Sequence, residues 1–203
     1  MTMLSYTSGT TGNPKGVKLT NQMILQTSGS MYHRISPPLD EKDTYISYLP
    51  AAHSFEQALF GMVLTYGMRQ GFYGGDPRAM ADNDLPYLQP TFFPSVPRLY
   101  NVIASKLEER FKTEQGIKGW LMRKALAAKK ENYAADGSYT HCFYDKVVFS
   151  KVRERLGGNV RVMLTGSAPI NGDVMGFLKV AFCCHFLEGY GMTETSAGSV
   201  TQM

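Results

Sequence analysis

Short β-branched and aromatic runs alternate along the chain with longer stretches of helical period. Residues 4–7 read as the end of a strand, 9–16 as a turn-rich loop and 17–19 as a short strand. Over residues 21–34, Met23, Ile24, Thr27 and Met31, with Ile35 just beyond, recur near 3.6-residue spacing. They predict a helix capped by Thr20 or Asn21 and stopped by Ser36-Pro37-Pro38. Residues 44–49 alternate as a strand, 54–68 read as a mostly buried helix, and 71–75 as a short strand and turn. Residues 77–88 are expected to be helical, with Pro77 in the first turn. Thr91-Phe92-Phe93 predicts a strand stopped by Pro94. Helices over 96–112 and 117–133 follow, then a loop at 135–139 and a helix over 143–156 ended by Gly157-Gly158. Residues 160–164 are expected to form a strand, 174–182 a helix, and 185–187 a strand that leads into 188–198.

This alternation predicts an α/β fold with a largely parallel sheet flanked by helices. In such sheets ligands gather in loops beyond the carboxyl ends of the strands. Three loops at such ends are rich in Gly, Ser and Thr. There is no internal repeat and no low-complexity linker.

Composition narrows the class. A chain of 203 residues with 43% hydrophobic and 19% charged residues has the balance of a folded domain, not of a disordered segment. The excess of 21 Lys and Arg over 17 Asp and Glu is too small to require nucleic acid or an anionic membrane as partner. Cys142, Cys183 and Cys184 cannot make a disulfide framework. His33, His53, His141 and His185 are too scattered for a structural zinc site. A reducing, intracellular compartment is expected. No apolar run is long enough to span a bilayer, and residues 1–5 do not resemble a signal peptide.

The chemistry concentrates in the first loop, Tyr6-Thr7-Ser8-Gly9-Thr10-Thr11-Gly12-Asn13-Pro14-Lys15-Gly16. Its glycines let main-chain N–H groups approach a ligand, Thr7, Ser8, Thr10 and Thr11 add donors, and Lys15 adds a charge on a flexible stem. These parts suit a polyphosphate. The order is not a Walker A loop, because Gly16, not Ser or Thr, follows the lysine. Read in isolation, His53 is a hydrogen-bonded core residue and Tyr190 a packing residue.

The segment Tyr6–Gly16 resembles the phosphate-binding signature of the adenylate-forming (AMP-binding) superfamily. Tyr48-Leu49-Pro50-Ala51-Ala52-His53-Ser54-Phe55-Glu56 is similar to its second core motif, and Gly189-Tyr190-Gly191-Met192-Thr193-Glu194-Thr195 to its third. Gly166-Ser167-Ala168-Pro169 precedes the third as expected. Within the superfamily, residues 50–56, 89–99, 156–158 and 188–198 resemble eukaryotic long-chain fatty acyl-CoA synthetases.

The resemblance implies that a carboxylate attacks the α-phosphate of ATP to give acyl-adenylate, and that coenzyme A then displaces AMP. Thr7, Ser8, Gly9, Thr10, Thr11, Gly12 and Lys15 would cradle the phosphates. Thr7 and Glu194 would hold Mg²⁺, and Thr193 would donate to the α-phosphate. Gly166, Ser167, Ala168, Glu188, Gly189, Tyr190 and Gly191 would form the adenine site. His53 would position the carboxylate and α-phosphate without acting as a base, since a carboxylate has no proton to lose. Lys15, His53, Thr193 and Glu194 are thus the candidate catalytic residues.

The acyl site is expected near Phe55, Leu59, Phe60, Met62, Val63, Leu64, Phe92 and Phe93, most of which also suit an ordinary core. An aromatic gate found in some family members falls here on Gln57. Lys124, Lys129 and Lys130 read as a solvated basic face, with membrane or partner contact as the alternative. Trp120 has no assigned role.

Family members continue beyond the Thr-Glu motif into a hinge and a smaller C-terminal lid domain, and carry a large portion ahead of the phosphate loop. Residues 1–203 are therefore expected to be an internal part of the large N-terminal AMP-binding domain, inactive alone. Such a piece would leave open sheet edges and exposed apolar faces. The parent would be a long-chain fatty acid–CoA ligase, for which the resemblance leaves open membrane association, through parts outside residues 1–203, at the endoplasmic reticulum, mitochondrial outer membrane or peroxisome. A stand-alone nucleotide-binding module, or a ligase for a different acid, are the alternatives.

Overall fold

A computed structural model of the chain describes residues 3–7, 12–32, 35–76, 79–198 and 200–202. The elements run β1 (Met3–Thr7), β2 (Lys15–Leu19), α1 (Asn21–Tyr32), β3 (Thr44–Ser47), α2 (Ser54–Tyr66), β4 (Arg69–Phe72), α3 (Asp84–Leu88), β5 (Phe92–Ser95), α4 (Pro97–Thr113) and α5 (Gly116–Asp136). A π-helical turn (Asp145–Phe149), α6 (Ser150–Arg153), β6 (Val162–Thr165), α7 (Gly172–Phe182), β7 (His185–Tyr190) and β8 (Val200–Gln202) complete the order.

Among the described residues six strands form one sheet in the order β4-β3-β5-β6-β7-β8. The first five are parallel and β8 is antiparallel to β7. Val162, Met163 and Leu164 are fully buried, as a parallel strand covered on both faces requires. Val162 and Leu164 join a core with Leu59 and Met62 of α2. Met163 joins a second core with α4, α5 and α7. β1 and β2 form a separate antiparallel hairpin. Leu4 and Tyr6 on it, Leu25 on α1, and Phe60 and Leu64 on α2 are exposed.

Several expectations need correction. β5 continues through Pro94, with Pro94 opposite Leu164. The Pro94 carbonyl accepts from the Tyr48 hydroxyl at 2.9 Å, so the proline turns toward β3. The β3–β5 ladder is limited there to Tyr45 opposite Phe92, so the missing N–H removes no sheet bond. Of the helix expected over 77–88, residues 77 and 78 lie outside the described residues, and among the rest only α3 is helical. Pro86 must lie in a first turn, which places the start at Asp84. The helix expected over 143–156 divides into the π-helical turn, α6 and a 3₁₀ turn. β7 runs three residues past Leu187, and β8 had no counterpart in the pattern.

Lys129 is the clearest reversal. It is fully buried, not solvated. It falls on the inner stripe of α5 with Met122 and Ala125. Its ammonium lies 2.6 Å from Asp145 Oδ1, 2.7 Å from the Val180 carbonyl and 3.0 Å from Cys183 Sγ, with the Phe149 ring centre at 4.2 Å. Burial pushes the Cys183 thiol up to about 11, against the pull of Lys129.

Candidate functional site

The carboxyl ends of β3, β6 and β7 open toward one side of the sheet. β3 leads through a turn to His53, the N-cap of α2. The His53 Nδ1 accepts the Phe55 N–H at 3.1 Å, so the neutral ring carries its proton on Nε2. Glu56, in the same first turn, is buried and accepts from the Tyr45 and Ser47 hydroxyls on β3. These bonds dock the start of α2, and His53 with it, onto the sheet. Gln57 donates to the Ala51 carbonyl at 2.7 Å.

A cavity of about 160 Å³ brings His53 and Phe55 together with Gly166 and Ser167 beyond β6, and with Gly189, Gly191 and Thr193 beyond β7. A wider groove of about 380 Å³ is lined by Ser167, Ala168, Glu188, Gly189, Tyr190 and Gly191. Tyr190 is 64% exposed along it. Glu188 Oε1 accepts the Ile170 N–H at 3.0 Å, which ties β7 to the loop after β6. A Cβ on Gly191 would stand 1.9 Å from the Ala197 carbonyl oxygen, so only glycine fits against the returning chain. The intervening turn is closed by Thr195 Oγ1, which accepts the Met192 N–H at 3.0 Å.

Thr7 and Lys15 are cross-strand partners at the end of the β1–β2 hairpin. β2 packs against the turn Thr193–Thr195, so the hairpin borders the cavity loops. Ser8, Gly9, Thr10 and Thr11 lie outside the described residues; Gly12 is described, at φ +99°. Glu194 is exposed and does not line the cavity. No group of three or more His, Cys, Asp or Glu among the described residues could hold a metal.

Sequence reasoning passed over Thr165. It ends β6 at the cavity and is fully buried, and among the described residues its hydroxyl has no hydrogen-bond partner. A hydroxyl closing the apolar run Val162-Met163-Leu164 just before Gly166 is the signal that could have found it. Of the expected acyl-site residues, Phe55, Leu59, Met62, Val63, Phe92 and Phe93 are buried in the two cores.

The model of one protein family, described as AMP-binding enzyme, matches residues 1–203. The chain belongs to this family. Long chain acyl-CoA synthetase 6, peroxisomal, of Arabidopsis thaliana is 45% identical over 95% of the chain. Long-chain-fatty-acid–CoA ligase 1 of Homo sapiens is 39% identical over 100% of it. The chain spans 27% and 29% of the lengths of these two relatives. Among solved structures, the A-PCP didomain of carboxylic acid reductase from Segniliparus rugosus, in complex with AMP, is 25% identical with a TM-score of 0.63. That match covers 94% of this chain and 23% of the other. The α/β fold with its parallel sheet is thus the fold of this AMP-binding family.

Proposed function

We propose that the protein carrying this chain is a long-chain fatty acid–CoA ligase, of whose large AMP-binding domain residues 1–203 are an internal part. The reading rests most on the convergence of His53, Gly166, Gly191 and Thr193 on one cavity at the carboxyl ends of three parallel strands. The named relatives support the substrate class, and AMP in the carboxylic acid reductase supports the nucleotide.

In this reading the adenine of ATP lies in the groove beside Tyr190, against the main chain of Gly166–Ala168. Lys15 and the main chain of the first loop hold the β- and γ-phosphates. A fatty carboxylate oxygen bonds to the α-phosphorus as the bond to pyrophosphate breaks; the sulfur of CoA, its thiol proton passing to solvent, then bonds to the acyl carbon as the bond to AMP breaks. His53 donates from Nε2 to an oxygen of the carboxylate or α-phosphate, and Thr193 donates from its hydroxyl. Both groups stabilise negative charge, and neither removes a proton.

Thr7 and Glu194 would hold Mg²⁺. One hydroxyl and one carboxylate suit a hard ion that keeps waters and phosphate oxygens as its other ligands. When bound, the ion supplies charge neutralisation at the phosphates.

The deciding experiment is ATP–pyrophosphate exchange by the complete protein, tried with acids of increasing chain length. Exchange driven by long-chain acids is expected. Exchange with acetate or amino acids alone would overturn the assignment.

A further inference from the structure

Glu56 stands three residues after the helix cap His53, in the first turn of α2. A carboxylate at that position commonly reaches back to the N–H of the cap residue. Here the His53 N–H bonds instead to the Pro50 carbonyl at 2.9 Å, and both Glu56 oxygens turn to the sheet. Oε2 accepts from the Tyr45 hydroxyl and Oε1 from the Ser47 hydroxyl. Glu56 is 3% exposed, and among the described residues no cation pairs with it. Burying a carboxylate with no cation beside it is costly, and an apolar side chain would hold the helix to the sheet without that cost.

The carboxylate does what apolar packing cannot. Phe55, Leu59 and Met62 of α2 share a core with Tyr45, but such contacts have no direction and tolerate sliding. Tyr45 and Ser47 lie two residues apart, on one face of β3. Two directional bonds from one side chain to two points on a strand fix both the height and the tilt of the helix start. Little slack remains on the other side. A Cβ on Gly166 would stand 3.7 Å from the Phe55 ring and 3.4 Å from the Gly189 carbonyl oxygen. Gln57 adds a bond to the turn itself, from its amide to the Ala51 carbonyl at 2.7 Å. A displaced helix start would therefore carry the His53 ring away from the other walls of the cavity.

We infer that Glu56 is a positioning residue for acid activation, which places the His53 ring by clamping the start of α2 to Tyr45 and Ser47 on β3. It touches no substrate and acts through His53. The inference rests on the ligase reading for the step that His53 serves. A shift of about 1 Å in an oriented donor is enough to cost a large factor in rate. The nucleotide groove beyond β6 and β7 is not built on α2, so ATP binding is spared.

The test is a double-variant cycle on the complete protein, with ATP–pyrophosphate exchange measured well below the melting of every variant. Glu56→Ala should lower kcat by about tenfold to a hundredfold while KM for ATP stays within about twofold. Glu56→Gln should recover most of the loss, because its amide can accept from one hydroxyl and donate to the other. In a His53→Asn background, Glu56→Ala should add less than about a twofold loss, since the ring it places is already gone. Multiplying losses in the double variant, or wild-type kcat in a folded Glu56→Ala, would overturn the inference. Should Glu56→Ala fail to fold, Tyr45→Phe and Ser47→Ala each remove one hydroxyl and take its place in the same cycle. Exchange is driven by whichever acid the wild type turns over fastest, so a wrong acid class overturns the ligase reading alone. Wild type without exchange on any acid overturns both.

Discussion

Lys129 Nζ and Asp145 Oδ1 meet at 2.6 Å, with the lysine side chain wholly out of water. The pair joins α5 to the π-helical turn, and the Val180 carbonyl adds α7 to the same point. Removing one partner of such a pair leaves an uncompensated charge, at a typical cost of about 3–5 kcal/mol. Lys129→Met should lower the urea midpoint of the complete protein accordingly. Lys129→Met with Asp145→Asn should recover a substantial part of the loss. A single variant as stable as wild type would show that the pair contributes nothing.

A second ion pair, Asp43 with Arg161, links stability to pH. Burial pushes the Asp43 carboxyl up, but bonds from Arg161 (2.8 Å), Thr91 (2.6 Å) and the Asp40 amide (2.9 Å), with the Arg161 charge, outweigh it and hold the group below its ordinary 3.8. A carboxyl depressed on folding stabilises the protein above its unfolded value, and that stability is lost as pH falls through the folded one. Urea midpoints measured from about pH 6 down to about pH 2 should therefore fall more steeply for wild type than for Asp43→Asn. Parallel curves would remove Asp43 from the acid transition.

His53 has two separable duties. Its Nδ1 caps α2, and in the proposed reaction its Nε2–H donates to the carboxylate or α-phosphate. In His53→Asn the amide oxygen can still cap the helix, so melting should hold while pyrophosphate exchange falls by about tenfold or more, the scale of one lost oriented donor. His53→Ala should lose both, with an added cost of about 1 kcal/mol in stability. Equal exchange by wild type and His53→Asn would reduce the ring to a structural cap.

Gly191 has no room for a side chain beside the Ala197 carbonyl. Gly191→Ala should force residues 192–197 outward and weaken AMP binding by at least about tenfold, as loss of a stacking platform and its neighbours does. Tyr190→Ala should weaken it without moving the loop. Calorimetric titration with AMP distinguishes the two from wild type, and unchanged affinity in Gly191→Ala would mean the close approach is unimportant for nucleotide.

The apolar runs at Val162–Thr165 and Phe92–Phe93 are legible as strands because burial on both faces demands unbroken hydrophobicity. The loops after them are legible because glycine and hydroxyl residues cluster where strands end. Other features depend on partners distant in sequence. Lys129 looks like one more surface lysine until Asp145, sixteen residues away, is placed beneath it. Pro94 looks like a terminator until the short reach of β3 along β5 is known. Nothing in the local pattern shows that Tyr45 and Ser47 donate to Glu56. Tertiary contacts, not local pattern, decide each of these.

β7 and β8 are antiparallel neighbours, with Tyr190 opposite Val200, and the nine residues 191–199 join them. The Thr-Glu turn is therefore the tip of a hairpin whose legs are locked in register. Inserting or deleting one residue there would slide β8 by one position and turn its side chains to the opposite face of the sheet. Evolution can exchange individual letters in this stretch more readily than it can change their number. Constancy of length, beside the identity of Gly191, is the mark that the hairpin should leave on a set of natural variants.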